Sequence, residues 1–509
     1  MESRFQKTAK NVVFATINQC VTLVLSIVNR TFFIWFLGVE YLGISGLFAD
    51  ILTMLSLADL GIGTAMVYSY YKPLSEENHV KIAQLTQFYR KVYTIIAVVA
   101  TAIGISMIPF LRYLINLDTP VEHIYLYYTL MVANTVVSYL FVYKTSILNA
   151  DQKNYIISKY QTIINCIRMG VQIIILICTR NYALYLVIQV LATAINNILT
   201  SRKADKLYPY ITQEVPKIDK NERTSVFANI KSMALYKICL VVFSGIDNTL
   251  ISVLVGTIWI GYYSNYNLII STINTFINIL YSSATASIGN IIASENEEKR
   301  YNVFKLIQVF SLVITTITTA CLFALTTDLL KVWLGEGYLL TNDVFIVILL
   351  NFYFNGLVHP IWSFREACGL YNRTKYIMLI AAIINFLLSV LFGLKFGISG
   401  ILIASLIARI VTYFWYEPKI LFGEYFKKSE KNYYIPILKN VLVTLLICGL
   451  VFELGKIIVV NNIIMLFVKA ILICVFVSVI TLLCYWNDSA LKNLLFGYIK
   501  KLLRRRVER

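Results

Sequence analysis

From about residue 11 to about residue 485 the chain is a succession of apolar runs, each about as long as a bilayer is thick, separated by short polar turns. Crossing about 30 Å of hydrocarbon takes about 20 apolar residues in a helix, and a spanning helix satisfies its own backbone hydrogen bonds. Such runs fall near 11–37, 43–70, 91–115, 123–149, 160–179, 182–200, 231–255, 262–291, 304–327, 342–365, 375–394, 397–417, 436–457 and 461–485. A chain of 509 residues that is 58% hydrophobic and 14% charged has too much apolar surface for one soluble core. The expected fold is all-α and integral to the membrane, with about 14 transmembrane helices.

Basic residues test the topology, since Lys and Arg collect on the cytoplasmic side. With the N-terminus inside, about 35 of the 45 Lys and Arg fall on inner segments, while only Arg112, Arg180, Lys331, Lys395 and Lys456 fall outside. Both termini are therefore expected in the cytoplasm. The formal charge of +18 is accounted for by topology and by attraction to anionic membrane lipids, with no role for nucleic acid. The tail after Trp486 reads as a basic amphipathic helix on the inner leaflet, with Leu491, Leu495, Tyr498 and Leu502 on one side. All six tryptophans lie near span ends, as interfacial belts require. The nine cysteines, without CxxC pairs or metal-ligand spacing, read as small buried hydrophobes. The polar start MESRFQKTAK reads as the lead into a retained first span rather than a cleaved leader.

The longest hydrophilic stretch, with Pro209 and Pro216, divides the chain. The expected plan is an N-terminal six-helix bundle (1–200), a cytoplasmic linker (201–230), a C-terminal six-helix bundle (231–420), an appended helix pair (436–485) and a basic tail (486–509). A repeated turn supports it. Leu37-Gly38-Val39-Glu40-Tyr41-Leu42-Gly43 aligns with Val255-Gly256-Thr257-Ile258-Trp259-Ile260-Gly261, and Thr31 aligns with Thr249. Halves that start on the same side are parallel repeats, and substrate sites in such proteins lie between them.

The chain has no HExxH, GxSxG, Walker A or kinase signature. Its outer loops are short, which argues against a membrane polymerase or glycosyltransferase, so the chain is not expected to be an enzyme. Nothing calls for a metal or organic cofactor. Without a nucleotide-binding loop, uphill work has to draw on a proton or sodium gradient, the membrane potential or downstream consumption of the product.

Charges inside spans are costly and mark transport pathways. Arg30 and Asp50 each lie seven residues from the first outer turn, about 10 Å deep at 1.5 Å per residue. Two readings of Arg30 stand: it neutralises Asp50 or snorkels outward, or its planar fork meets a phosphate in a wet cavity. Arg168 and Arg409 suggest a cationic approach from the inner side, while Lys144 and Arg365 are near enough to the inner face to be either anchors or ligands. Lys469 belongs to the appended pair. Asp59 and Asp247 are acids within helical runs, suited to cation coupling or to a gate hydrogen bond. In the repeat alignment Asn29-Arg30 stands opposite Asp247-Asn248, so the halves differ chemically at the matched spot. Tyr263, Asn267, Asn274 and Asn278 share one helical face, fit either to meet a sugar or to bind a neighbouring helix.

The stretch NRTFFIWFLGVEYLGISGLFADILTMLSLADLGIGTAMVYSYYKPL resembles the start of bacterial polysaccharide transporters, the Wzx-like flippase branch of the multidrug/oligosaccharidyl-lipid/polysaccharide exporter superfamily. LNADQKNYIISKY and SGIDNTLISVLVGTIWIGYYSNYNLI carry the same resemblance, which covers the whole chain. It implies movement of an undecaprenyl-diphosphate-linked oligosaccharide across the bacterial inner membrane by alternating access. The glycan would feed O-antigen lipopolysaccharide, capsule or exopolysaccharide synthesis, beside a polysaccharide polymerase machinery. Cations of the central cavity would hold the diphosphate, and the matching position in the first span is Arg30. Drug exporters of that superfamily usually carry a coupling acid in the first span, and none stands there in this chain. The rival expectations are a cation-coupled drug or small-solute exporter and, against the short outer loops, a membrane polymerase or glycosyltransferase.

Overall fold

A computed structural model describes residues 4–55, 62–117, 121–216, 243, 245–294, 296–368, 370–486 and 488. Regular structure among them is entirely helical. The chain groups into two compact units, Met1–Gly261 and Tyr262–Arg509. In order the helices are α1 (Arg4–Leu37), α2 (Val39–Leu55), α3 (Ile62–Ser75), α4 (His79–Ser106), α5 (Ile124–Tyr139), α6 (Val142–Ala150), α7 (Asn154–Thr179) and α8 (Tyr182–Leu207). There follow α9 (Thr257–Ser294), α10 (Glu297–Leu334), α11 (Asn342–Cys368), α12 (Tyr371–Val411), α13 (Tyr413–Ile420), α14 (Lys431–Ile457) and α15 (Ile463–Cys484). Asparagines start four of them: Asn78, Asn181, Asn296 and Asn462 each accept a first-turn backbone N–H, at 2.9–3.1 Å.

Among the described residues nine helices are long and apolar enough to cross a membrane, or ten if the bent pair α5–α6 is one span. The longest candidate, Arg373–Phe426, has 54 residues, more than twice what one crossing needs, and breaks at Gly397 (φ 60°, ψ −137°). It therefore supplies two spans. The remaining expected spans are α2–α3, which is interrupted by undescribed residues, the run near 231–255, which lies mostly outside the described residues, and α9 with its polar stripe. The hydrophilic segment beyond 216 and most of the tail also lie outside them.

Apolar side chains such as Ile95, Leu394, Leu442 and Ile464 stay more than 60% exposed, a surface only lipid makes tolerable. The described cysteines follow the same rule and correct the expectation that they are buried: Cys20, Cys166, Cys178 and Cys474 are exposed, and Cys321, Cys368, Cys448 and Cys484 half-buried, while Cys239 lies outside the described residues. In hydrocarbon a small apolar side chain gains little by turning inward.

In the first unit, α1 lies along α7, tied by Thr162 Oγ1 donating to Asn18 Oδ1 (2.8 Å) and Tyr155 N donating to Asn11 Oδ1 (2.8 Å). The core around Tyr70, Tyr89, Leu85 and Leu148 joins α3, α4 and α6. Where α5 and α6 meet at 48°, carbonyls freed from the helix ladder accept from Asn197 Nδ2: Val137 O at 2.9 Å and Leu140 O at 3.1 Å.

The repeated turns have matching backbones. Gly38 (φ 93°) and Gly256 (φ 138°) both lie in the region that favours glycine. Gly43 and Gly261 then meet one another: a Cβ on Gly43 would strike the Thr257 carbonyl, and one on Gly261 would strike the Val39 carbonyl. Small residues here let two backbones cross in contact. Hydrogen bonds from Thr257 N to Asn116 O (2.7 Å) and from Asn116 N to Thr257 Oγ1 (2.8 Å) fix the second turn.

In the second unit, Phe304, Phe364, Phe422, Phe426 and Tyr433 form an aromatic core. One amide of the helix pair α14–α15 makes four of the bonds that tie the pair into this unit. Asn440 Nδ2 donates to Leu312 O (3.2 Å), Thr316 Oγ1 (2.7 Å) and Tyr485 OH (2.8 Å), and Asn440 Oδ1 accepts from Tyr353 OH at 2.6 Å. Lys469 of α15 pairs with Asp328 of α10 at 2.6 Å, which gives that intramembrane cation a structural partner.

Candidate functional site

Four of the sequence-selected cations, all arginines, fall in two places, two in each unit. In the first, Arg30 of α1 and Arg168 of α7 both lie close enough to the hydroxyl of Tyr185, on α8, to act on it electrostatically. Tyr185 is held from three sides. Asn29 Nδ2 donates to its hydroxyl (2.6 Å), Gln172 Nε2 donates to its carbonyl (3.1 Å), and the Phe33 ring meets its ring edge-on at 5.3 Å. Tyr182 extends the aromatic wall to Tyr41 and Tyr127, at 5.4 and 4.8 Å. Arg168 makes no ion pair or hydrogen bond with a described residue, and its Nε is buried without an acceptor.

In the second unit, Arg365 and Arg409 act on Tyr413 in the same way. Here each guanidinium has an acceptor, although the Nε of both is buried without one among the described residues. Arg365 Nη1 pairs with Glu417 Oε1 at 2.6 Å, both side chains more than nine-tenths buried, and Arg409 Nη1 donates to Asn355 Oδ1 at 2.7 Å. Arg365 is thus neither a snorkelling anchor nor an open ligand in this structure. Lys144 likewise ends on Asp205 at 2.8 Å.

The acids form a third group. Asp50 accepts a hydrogen bond from Asn248 Nδ2, and the Asp247 carboxylate acts on Asp50 through space. The carboxylate weighed as a neutraliser of Arg30 is therefore engaged by the repeat counterpart of Arg30 itself. Asp59 lies outside the described residues. On α9, Asn267 is exposed and Asn274 half-buried, so the polar stripe stays accessible on its face. No group of three or more metal-ligating side chains occurs among the described residues.

Tyr185, Gln172, Tyr413 and Glu417 were missed by the sequence reading. A signal was present: Arg168 and Gln172 are four residues apart, as are Arg409, Tyr413 and Glu417, which is the spacing of one helix face.

No protein-family model matches the sequence, and no curated protein matches it. Solved structures do. The lipid II flippase MurJ in an inward closed conformation superposes with a TM-score of 0.64 at 18% identity, over 94% of this chain and 99% of MurJ. The fold is that of a lipid flippase and of the MATE transporters. An inward-facing multidrug resistance MATE transporter of the MOP superfamily gives a TM-score of 0.59 at 15% identity, over 80% of this chain and 97% of that one. VcmN, a MATE transporter of Vibrio cholerae, gives 0.56 at 14% identity, over 80% and 93%.

Proposed function

We propose that this protein is a transporter that flips an undecaprenyl-diphosphate-linked oligosaccharide from the inner to the outer leaflet of a bacterial inner membrane, for surface polysaccharide synthesis. The observation that carries the reading is Arg168, a guanidinium within a spanning helix that has no counter-ion among the described residues and whose Nε–H is buried without an acceptor. An intramembrane guanidinium with its hydrogen-bonding edge uncommitted is suited to a phosphate oxygen, which it meets bidentately and without loss of charge at any physiological pH. Low dielectric strengthens the contact. The likeness to a lipid II flippase, a carrier of a lipid-linked substrate by its name, over 94% of the chain supports the same class.

In this mechanism the diphosphate enters from the basic cytoplasmic side, reaches Arg168, and is held against Arg30 while access alternates. In the second unit Arg409 serves the substrate anion, and the amides Asn267 and Asn274 meet the glycan. Lys144 and Arg365 act by holding their helices in place. Asp50 and Asp247 bind the coupling ion, a proton or sodium. Both termini lie in the cytoplasm, where a polysaccharide polymerase machinery would be the neighbouring partner.

The test is a deletion strain. Lipid-linked glycan accumulates on the inner leaflet, surface polysaccharide is lost, and wild type but not Arg30→Ala or Arg168→Ala restores export at equal protein level. Normal export by both variants overturns the assignment. A second reading, a cation-coupled drug exporter, is favoured by the proximity of Asp50 to Asp247 and by the MATE fold. It predicts drug hypersensitivity on deletion with no glycan accumulation.

A further inference from the structure

Between α10, α11 and α14 the second unit leaves a cleft of about 370 Å³, and every residue that lines it belongs to one of these three helices. One end is closed by hydrogen bonds between α11 and α14: Tyr353 OH donates to Asn440 Oδ1 at 2.6 Å, and Tyr433 OH to Leu357 O at 3.2 Å. From there the cleft runs over α10 toward the C-terminal end of α14. Its walls are apolar. Tyr353 has given its hydroxyl to Asn440, Thr444 Oγ1 bonds Thr316 Oγ1 at 2.9 Å, and Thr319 Oγ1 lies buried. Ile346 and Leu445 in the lining are 47% and 64% exposed, so the cleft opens sideways to lipid.

Two glycines of these helices show that the space is kept. Glycine inside a helix costs stability relative to alanine. At Gly356 of α11 close contact offsets that cost: a Cβ would strike the Thr315 side chain of α10, and the Gly356 carbonyl accepts from Ser311 Oγ at 2.7 Å. Gly449 of α14 makes room for no neighbour, since a Cβ there would meet nothing within 4 Å. The room it leaves belongs to the cleft.

Along α14 the lining extends from Val441 to Phe452, about 16 Å at 1.5 Å per residue, or about half of the 30 Å of a bilayer's hydrocarbon. That is the depth of one leaflet. Phe452 stands near the end of the span, with the Lys456 ammonium 4.5 Å from its ring centroid, and Lys456 Nζ pairs with Glu453 Oε1 at 2.7 Å. Both side chains are more than half exposed, so this pair opens at little cost. It sets a cation beside an anion at the mouth of an apolar cleft, the complement of a headgroup that carries a phosphate and an ammonium. A purely anionic headgroup would meet Glu453 with like charge.

We propose that the cleft is the seat of a resident phospholipid, with one acyl chain between α11 and α14 and a phosphoethanolamine headgroup resting on Lys456 and Glu453. Hydrocarbon gains nothing by leaving lipid, so the chain is retained by close packing along the walls and by the headgroup. This lipid is not the cargo. No residue of α9, whose amides are assigned to the glycan, lines the cleft, and an isoprenyl phosphate brings no ammonium for Glu453.

The test uses the full chain, delipidated in detergent, and reads by native mass spectrometry the binding of dioleoyl phosphatidylethanolamine, dioleoyl phosphatidylglycerol and undecaprenyl phosphate. Wild-type protein is expected to bind the phosphatidylethanolamine about fivefold more tightly than the phosphatidylglycerol, the size of one exposed ion pair. Glu453→Gln brings that ratio to about one. Gly449→Leu fills the cleft and lowers phosphatidylethanolamine binding about tenfold, as overpacking of a filled site does. It replaces a poor helix former with a good one, so the fold is kept. Equal binding of the two phospholipids by wild-type protein overturns the proposal, as does phosphatidylethanolamine binding that Gly449→Leu leaves unchanged. A preference for undecaprenyl phosphate that Gly449→Leu abolishes overturns it too, and gives the cleft to the cargo.

Discussion

Each unit gathers two arginines around one tyrosine, yet the two gatherings are finished differently. Around Tyr413, Glu417 takes Arg365 and Asn355 takes Arg409. Around Tyr185, the described residues give Arg168 neither an acid nor an amide oxygen. A buried cation neutralised by an acid of the fold, as Arg365 is, belongs to structure; one without an acid, as Arg168 is among the described residues, invites an anion from outside. In the proposed function the difference sets Arg365, which holds helices together, apart from Arg168, which works on the substrate.

The largest test breaks the answered pair. Glu417→Gln leaves Arg365 buried without its counter-charge and is expected to cost about 3–5 kcal/mol of stability, seen as a lower melting temperature in detergent. Replacing both partners with apolar residues, Arg365→Met with Glu417→Leu, should recover most of that loss. Arg168→Gln should do the reverse: melting within about 1 °C of wild type, but export lowered about thirtyfold, the equivalent of about 2 kcal/mol in a charge-assisted contact. If Arg168→Gln instead melts several degrees lower with proportionate export, the contrast between the two groups fails. A milder test supplies the missing acid. Gln172→Glu sets a carboxylate one turn from Arg168 and is expected to lower affinity for undecaprenyl diphosphate about tenfold by competing for the guanidinium. The smallest effect belongs to the half-buried pair Lys144–Asp205, where Asp205→Asn should cost about 1 kcal/mol and leave the glycan specificity of export unchanged.

Sequence made the spans legible because hydropathy and length are local properties, and it made the two glycine turns legible because they repeat. The ends of α1, α7 and α14, the start of α8 and both limits of α15 fall within two residues of that signal, while the other limits of these helices extend five to seven residues beyond it. Partnerships between helices were not legible. Lys144 and Asp205 are 61 residues apart, and Asp50 and Asn248 are 198 apart. Which faces meet depends on how each helix is rotated, and side-chain packing over the whole bundle sets that rotation. Glu417 was passed over because it stands beside Pro418 at the end of an apolar run, where an acid reads as interfacial. The cysteines misled for a different reason: burial inside protein is the habit of apolar residues in water, and this chain has lipid for a solvent.

The crossing of Gly43 and Gly261 has a mechanical consequence. Elsewhere in the bundle a small shift of one helix is absorbed by side chains that change rotamer. At this crossing main chain rests on main chain, and there is nothing compliant between them. Such a seam cannot loosen by degrees; it is shut or it is parted, and a substituent as small as a methyl group on either glycine would act as a wedge.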